Sequence, residues 1–177
     1  MATCEVVRTY LQLESLADLR RTALPPTLHL RRLPSCSVAT SRALYRAVGE
    51  AWHWHDRDAW PDAQLAQRLA RPAISIWLLE DTQVADAPPL GYAELEQAAD
   101  GAVEICYFGL VPAAIGRGLG AGFLSTVSEQ AFALGATRVW LHTCTLDHPA
   151  ALANYEKRGF VRFRRETYVA TLPNSIG

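Results

Sequence analysis

Glycines at alternate positions in Gly116-Arg117-Gly118-Leu119-Gly120 strongly limit what the surrounding chain can build. Without Cβ atoms the backbone can turn sharply, and its N–H groups can converge on an anion. Leu119, Phe123, Val127 and Leu134 then recur at helical spacing, so the run opens a helix. The first-turn N–H groups of a helix lack internal partners, and its N-terminal end is positive. Arg117 adds a full charge. The pattern predicts a phosphate-bearing ligand at a helix start. A tight turn made only for packing is the competing explanation.

Two familiar phosphate motifs do not fit. A Walker loop needs Gly-Lys-Ser/Thr after four spacer residues, and none is present. A dinucleotide fingerprint can be laid over Gly116, Gly118 and Ala121. It then needs an acidic residue at the end of the next strand, about 20 residues on. The segment from Val139 to Cys144 holds neither Asp nor Glu.

The rest of the chain reads as strands over 4–13 and 28–33, with Pro25-Pro26 in a connecting arm. Helices follow over 37–51, where Leu44, Val48 and Ala51 share a face, and from Pro61 to a stop at Pro72. Strands at 74–79, 90–95 and 103–108 with short connections, one of them Asp100-Gly101, predict an antiparallel meander. After the glycine-led helix come a strand at 139–144, a helix over 149–158 and a strand over 160–169. The fold class is mixed α/β: a central, mostly antiparallel twisted sheet with flanking helices. The long helical crossover from the Val103 strand to the Val139 strand permits one parallel pair. Residues 1–27 read as an N-terminal strand and arm packed on a domain of 28–177, and 177 residues suit one sizeable core.

A formal net charge of −1 implies no general attraction to nucleic acid or to an anionic membrane. The longest uncharged apolar stretch, Ile105 to Gly116, is about a dozen residues against the roughly 20 of a membrane span. The charged N-terminus does not resemble a secretion signal. Four dispersed cysteines without a CxxC are expected to be reduced, buried thiols in a cytoplasmic protein.

Three segments together resemble the GNAT superfamily of acyl-CoA-dependent N-acyltransferases. They are Tyr107-Phe-Gly-Leu-Val-Pro112, Gly116-Arg-Gly-Leu-Gly-Ala-Gly-Phe-Leu124 and Ala151-Leu-Ala-Asn-Tyr-Glu-Lys-Arg-Gly-Phe160. The stretch from His142 to Pro149 is similar to a bacterial branch of that superfamily. The resemblance implies a GNAT-like fold and acetyl-CoA as co-substrate. The CoA pyrophosphate would rest on backbone N–H groups of Gly116, Arg117, Gly118, Leu119, Gly120 and Ala121. The backbone of Leu110 and Val111 would pair with the pantetheine arm. Two departures stand out: Ile115 occupies a position where the family often has Gln or Arg, and His148 one where many members have Asn.

Acetyl transfer to an amine poses two proton problems. A lysine-like amine, with a pKa near 10, must lose a proton before attack, and the leaving thiolate benefits from a donor. Glu104 is the candidate base. It stands in an apolar strand, thirteen residues before Arg117, the offset at which the histone acetyltransferases it resembles carry their base glutamate. A solvated strand face is the alternative. Tyr155 is the candidate acid by the same resemblance; packing on the sheet is its alternative.

Trp52, His53, Trp54 and His55 fall where the superfamily covers its acceptor, and are expected to contact it by stacking or cation–π interaction. An aromatic core plug competes with that role. A metal site from His53, His55 and Asp56 is disfavoured by spacing. Zinc or a thiol nucleophile at His142, Cys144 and His148 is disfavoured because no oxyanion loop or second ligand pair accompanies them, and no metal is expected. Asp147 is expected to cap the following helix. The leading expectation is a cytoplasmic N-acetyltransferase that takes a small-molecule or peptide amine. A homodimer through exposed terminal strands stays open. Two rivals also stay open: an acyl-CoA-binding sensor with no transfer activity, and a nicotinamide-dependent enzyme.

Overall fold

The computed structural model describes residues 2–172. Their strands are β1 (Ala2–Leu13), β2 (Leu28–Arg32), β3 (Ile74–Asp81), β4 (Gly91–Gln97), β5 (Ala102–Leu110), β6 (Arg138–Cys144) and β7 (Val161–Leu172). The helices are α1 (Val38–Gly49), α2 (Asp62–Leu69), α3 (Gly120–Ala133) and α4 (Ala151–Lys157). Among the described residues the strands form one sheet in the order β2-β3-β4-β5-β6-β1-β7. Every neighbouring pair is antiparallel except β5 and β6, which run parallel through the α3 crossover. This is the mixed sheet expected from the sequence. The N-terminal strand is an interior member of it, hydrogen-bonded to β6 on one side and to β7 on the other.

The two faces of the sheet are covered differently. Leu11, Leu13, Leu79, Leu95, Val103, Val139 and Leu141 meet Phe123, Leu124 and Val127 of α3, with Tyr155 of α4 and Phe160. Burial of α3 extends around most of its circumference, so it reads as a core helix rather than a surface one. Phe123 is fully buried and contributes about 1.5–3 kcal/mol by leaving water. On the opposite face Leu44 and Val48 of α1 pack on Ile74, Ile76, Leu78 and Tyr92. Ser37 caps α1 by accepting from the Thr40 N–H at 3.1 Å.

The arm between β1 and β2 is tied down at several points. Thr22 N–H donates to Ser125 Oγ at 3.0 Å, and Arg20 N–H to the Arg158 carbonyl at 2.8 Å. Gly159, with φ +101°, ends α4 against the Asp18 carbonyl, where any side chain would collide. No helix among the described residues is long and apolar enough to cross a membrane.

Candidate active site

The β5–β6 ladder stops at Glu104 and Trp140, although β5 continues to Leu110 and β6 to Cys144. The strands part, and the gap opens into a cleft of about 1050 Å3. The glycine turn lines one part of it and the segment between α1 and α2 another.

Gly116 and Gly118 hold φ of +80° and +73°, in the left-handed region. A Cβ on either would meet nothing within 4 Å. Backbone conformation therefore demands glycine at both positions, and no neighbouring atom does. The N–H groups of Gly118, Leu119, Gly120 and Ala121 have no backbone acceptor among the described residues, and no side chain caps α3. Four such donors at a helix start are an arrangement that can hold an anion. Asn154 Nδ2 donates to the Gly120 carbonyl at 3.1 Å and fixes α4 beside the turn. Gly116, Gly118, Leu119, Gly120, Ala121 and Leu110 all line the cleft.

Two residues expected at this end are turned elsewhere. Arg117 is exposed and does not line the cleft. Val111 spends its N–H on the Leu90 carbonyl at 2.9 Å, and its own carbonyl accepts from Ala114 at 2.9 Å. Strand alternation points its N–H at β4, away from the gap. Lys157 and Arg158, at the end of α4, line the cleft instead. Sequence reading missed them, although both lie inside the segment that carries the family resemblance.

Glu104 lines the cleft from β5, half-buried and directly across from Glu96 of β4. Its carboxylate lies within 4.8 Å of the Glu96 carboxylate and of Cys106 Sγ. Burial, and then the Glu96 charge, raise its pKa against the pull of Arg68. Burial and Glu104 push the Cys106 thiol well above its usual value, which keeps it protonated. Tyr155 is buried yet reaches the cleft, its ring 6.2 Å from Phe108 and 6.1 Å from Phe160. Burial, then Asp147, raise its phenol, so the hydroxyl keeps its proton.

Trp52, His53, Trp54 and His55 line the cleft, but in different ways. Trp54 is the aromatic plug: its ring sits 5.6 Å from Tyr45, 5.1 Å from Tyr107 and 6.4 Å from Tyr92. Trp52 instead meets His148 edge-on at 4.9 Å, joining this segment to the β6–α4 loop. His55 pairs with Asp58 at 2.7 Å. Asp56 accepts from the Tyr45 hydroxyl at 2.6 Å and from the Tyr107 hydroxyl. The His53 ring lies 6.3 Å from that of His55, while His55 and Asp56 are engaged by different partners.

Beneath this segment lies a charged network that sequence reading did not find. Glu94 is fully buried and accepts both Arg57 terminal nitrogens at 2.6 Å. Arg68 Nε adds a third bond to it at 2.9 Å, and Arg68 Nη2 donates to Glu96 at 2.9 Å. A bidentate Arg–carboxylate pair this dry is strong only because every group is matched. The Arg57 guanidinium lies 4.3 Å from the Tyr107 ring centroid.

The expected capping role of Asp147 is not observed. Its Oδ2 accepts from Thr143 Oγ1 at 2.6 Å and from the Cys144 N–H at 2.9 Å, closing the turn after β6. The start of α4 has no side-chain cap from its neighbouring residue, and His148 Nδ1 accepts from the Ala150 N–H at 3.0 Å. The four cysteines are free and half-buried rather than buried.

Residues 41–160 match the model of the acetyltransferase (GNAT) family. A mycothiol acetyltransferase from Mycobacteroides abscessus is 31% identical over 121 residues, which is 66% of this chain. The match spans only 40% of that relative's length. Among solved structures, a GCN5-related N-acetyltransferase from Kribbella flavida superposes with a TM-score of 0.64 at 22% identity. That alignment covers 94% of this chain and 58% of the other. An aminoglycoside acetyltransferase from an uncultured soil metagenomic sample, in complex with trehalose, gives a TM-score of 0.58 at 12% identity. It covers 75% of this chain and 87% of that one. At such identities the two structural likenesses establish the fold.

Proposed function

Because the chain belongs to the GNAT acetyltransferase family, we propose that it transfers an acetyl group from acetyl-CoA to a primary amine by direct attack in a ternary complex. The observation that carries this reading is one cleft lined by unpartnered helix-start N–H groups, by a carboxylate of raised pKa and by a protonated tyrosine. The CoA pyrophosphate rests on the N–H groups of residues 118–121, with Lys157 and Arg158 supplying positive charge. The pantetheine arm lies in the gap where β5 and β6 part, along Leu110.

The acceptor enters from the side of Trp52 and His53. It arrives as an ammonium, since an alkylamine pKa is near 10. Glu104, directly or through one water, takes the proton; burial beside Glu96 makes it a stronger base than an ordinary carboxylate. The free amine attacks the thioester carbonyl, a C–N bond forms and the C–S bond breaks. Tyr155 donates its hydroxyl hydrogen to the leaving thiolate, and the second proton lost by the acylated nitrogen restores the phenol, so the amide, the CoA thiol and a protonated Glu104 result. No metal takes part in this scheme, and the reaction takes place in the cytoplasm, where acetyl-CoA is available.

The test is release of CoA thiol from acetyl-CoA across a panel of antibiotic, polyamine, amino-acid, peptide and protein-lysine amines. Release that depends on the acceptor, without an acceptor-independent burst, is the expected result. Tight CoA binding with no release for any amine would leave an acyl-CoA sensor in place of an enzyme.

A further inference from the structure

Arg8 lies on the interior strand β1, opposite Cys144 of β6 and Glu166 of β7. It lines the active-site cleft together with His142 and Tyr168. Its guanidinium is incompletely matched. Nη2 donates to the Tyr168 hydroxyl at 3.3 Å, and the group sits 4.9 Å from that ring's centroid. Nε is buried without any hydrogen-bond partner. Among the described residues no carboxylate comes within 4 Å of it, whereas Arg57 and Arg68 in the same cleft are both paired. The neighbouring carboxylate, Glu166, is already engaged by the Tyr10 hydroxyl at 2.8 Å and by Arg164.

A buried guanidinium nitrogen with no acceptor is costly unless a ligand supplies one. The fork of an arginine matches a carboxylate or a phosphate oxygen pair. The local charge selects between them. His142 next to Arg8 has its pKa lowered by the surrounding protein and by Arg8 itself, so it adds no second positive charge. Asp147, Asp56 and Glu166 also act on His142 from nearby. With Arg8 as the one cation there, a singly charged carboxylate is the better match than a doubly charged phosphate. Elsewhere in the cleft Glu104 presents a carboxylate to an ammonium, with Glu96 beside it paired to Arg68 and Arg71. Among the described residues, Glu104 on β5 has no arginine within 4 Å and Arg8 on β1 has no carboxylate within 4 Å, while Glu94 and Glu96 are matched by Arg57, Arg68 and Arg71.

From this we infer that the acceptor is a zwitterion: a primary amine that also carries a carboxylate, which Arg8 holds while the amine faces Glu104. The inference rests on the acetyl-transfer reading and deepens it by naming the class of acceptor. Arg8 lies one strand beyond β6 and four residues along it from the Glu104–Trp140 pair, roughly 13 Å of strand rise. The separation of amine and carboxylate in the acceptor is therefore a variable to scan. Polyamines, with no carboxylate, meet Arg8 as a like charge.

The experiment uses glycine, β-alanine, γ-aminobutyrate and phenylalanine, each paired with its own carboxamide, in thiol-release assays. An α-amino acid amide has the less basic amine, so a larger share of it is unprotonated at neutral pH. Intrinsic reactivity there favours the amide. The expected result is that at least one acid exceeds its amide by tenfold or more in kcat/KM, mainly through KM. Arg8→Gln should close that gap and Arg8→Lys keep part of it, with thermal melting confirming that both variants fold. Equal use of acids and amides, or a gap that survives Arg8→Gln, overturns the inference while leaving the transferase reading intact. A parallel arm measures calorimetric binding of the same acids to the CoA complex. If no amine reacts but an acid binds in an Arg8-dependent way, the transferase reading fails and the Arg8 site stands. If no acid binds or reacts in preference to its amide, the site does not exist.

Discussion

On the proposed reading the cleft has a carrier end and an acceptor wall, and the two are built from different material. The carrier end is backbone: two glycines in the left-handed region and a run of helix-start N–H groups, all within a few consecutive residues. The acceptor wall is side chain: Arg57, Arg68, Glu94, Glu104 and Tyr107, brought together from α2, β4, β5 and the loop before α2. A backbone site depends on local conformation and tolerates change in its neighbours. A wall of buried charges depends on every partner being present, so it should fail first when one is removed.

The largest effect should come from breaking that wall. Glu94→Ala strands the buried Arg57 guanidinium and should cost about 3–5 kcal/mol of folding free energy. Urea denaturation measures it; a loss below about 1 kcal/mol would mean that water reaches the network. Next comes Asp56→Asn, which weakens the acceptor of both the Tyr45 and Tyr107 hydroxyls. About 1–3 kcal/mol of stability should go, and the KM for the amine should rise while that for acetyl-CoA holds. An equal rise in both would erase the distinction between the two regions.

A subtler probe is pH. Glu104 has a raised pKa in the fold, caused first by burial and then by Glu96. The folded state therefore holds this proton more tightly than the unfolded chain does. Stability contributed by the neutral carboxyl falls as pH rises from the unfolded value, near 4.3, through the folded one. Glu104→Gln should melt slightly higher than the parent chain above that window and equally below it. The same substitution should slow turnover by about 10²–10⁴-fold and remove the acid limb of kcat/KM, which in the parent chain lies above the ordinary carboxylate range. Trp52→Ala should have the smallest effect, a few-fold rise in amine KM, because only its edge-on contact with His148 is lost.

The same contrast explains what the sequence disclosed. The glycine turn, the α3 stripe, the parallel crossover and the order of elements depend on near neighbours, and all were legible. The place of β1 between β6 and β7 depends on pairing across more than 120 residues, so nothing local announces it. Arg8 could not be assigned to the cleft for that reason. Glu94 carried the same signal as Glu104, an acid inside an apolar strand, but its partners Arg57 and Arg68 come from a loop and a helix. Asp147 looked like a helix cap from its spacing; the Thr143 hydroxyl and the Cys144 N–H compete for its oxygen and win. Trp52 and Trp54 are two residues apart and face different surroundings, which composition could not separate.

Calorimetric titration of CoA into two variants tests the division of labour most directly. Gly118→Val combined with Gly120→Val should weaken CoA binding about a hundredfold or more, since two charge-assisted contacts are worth about 1.5–3 kcal/mol each. Glu104→Gln should bind CoA as the parent chain does and yet turn over about 10²–10⁴-fold more slowly. If the double glycine variant kept its CoA affinity, the backbone turn would not be the carrier site, and the reading of the whole cleft would fall with it.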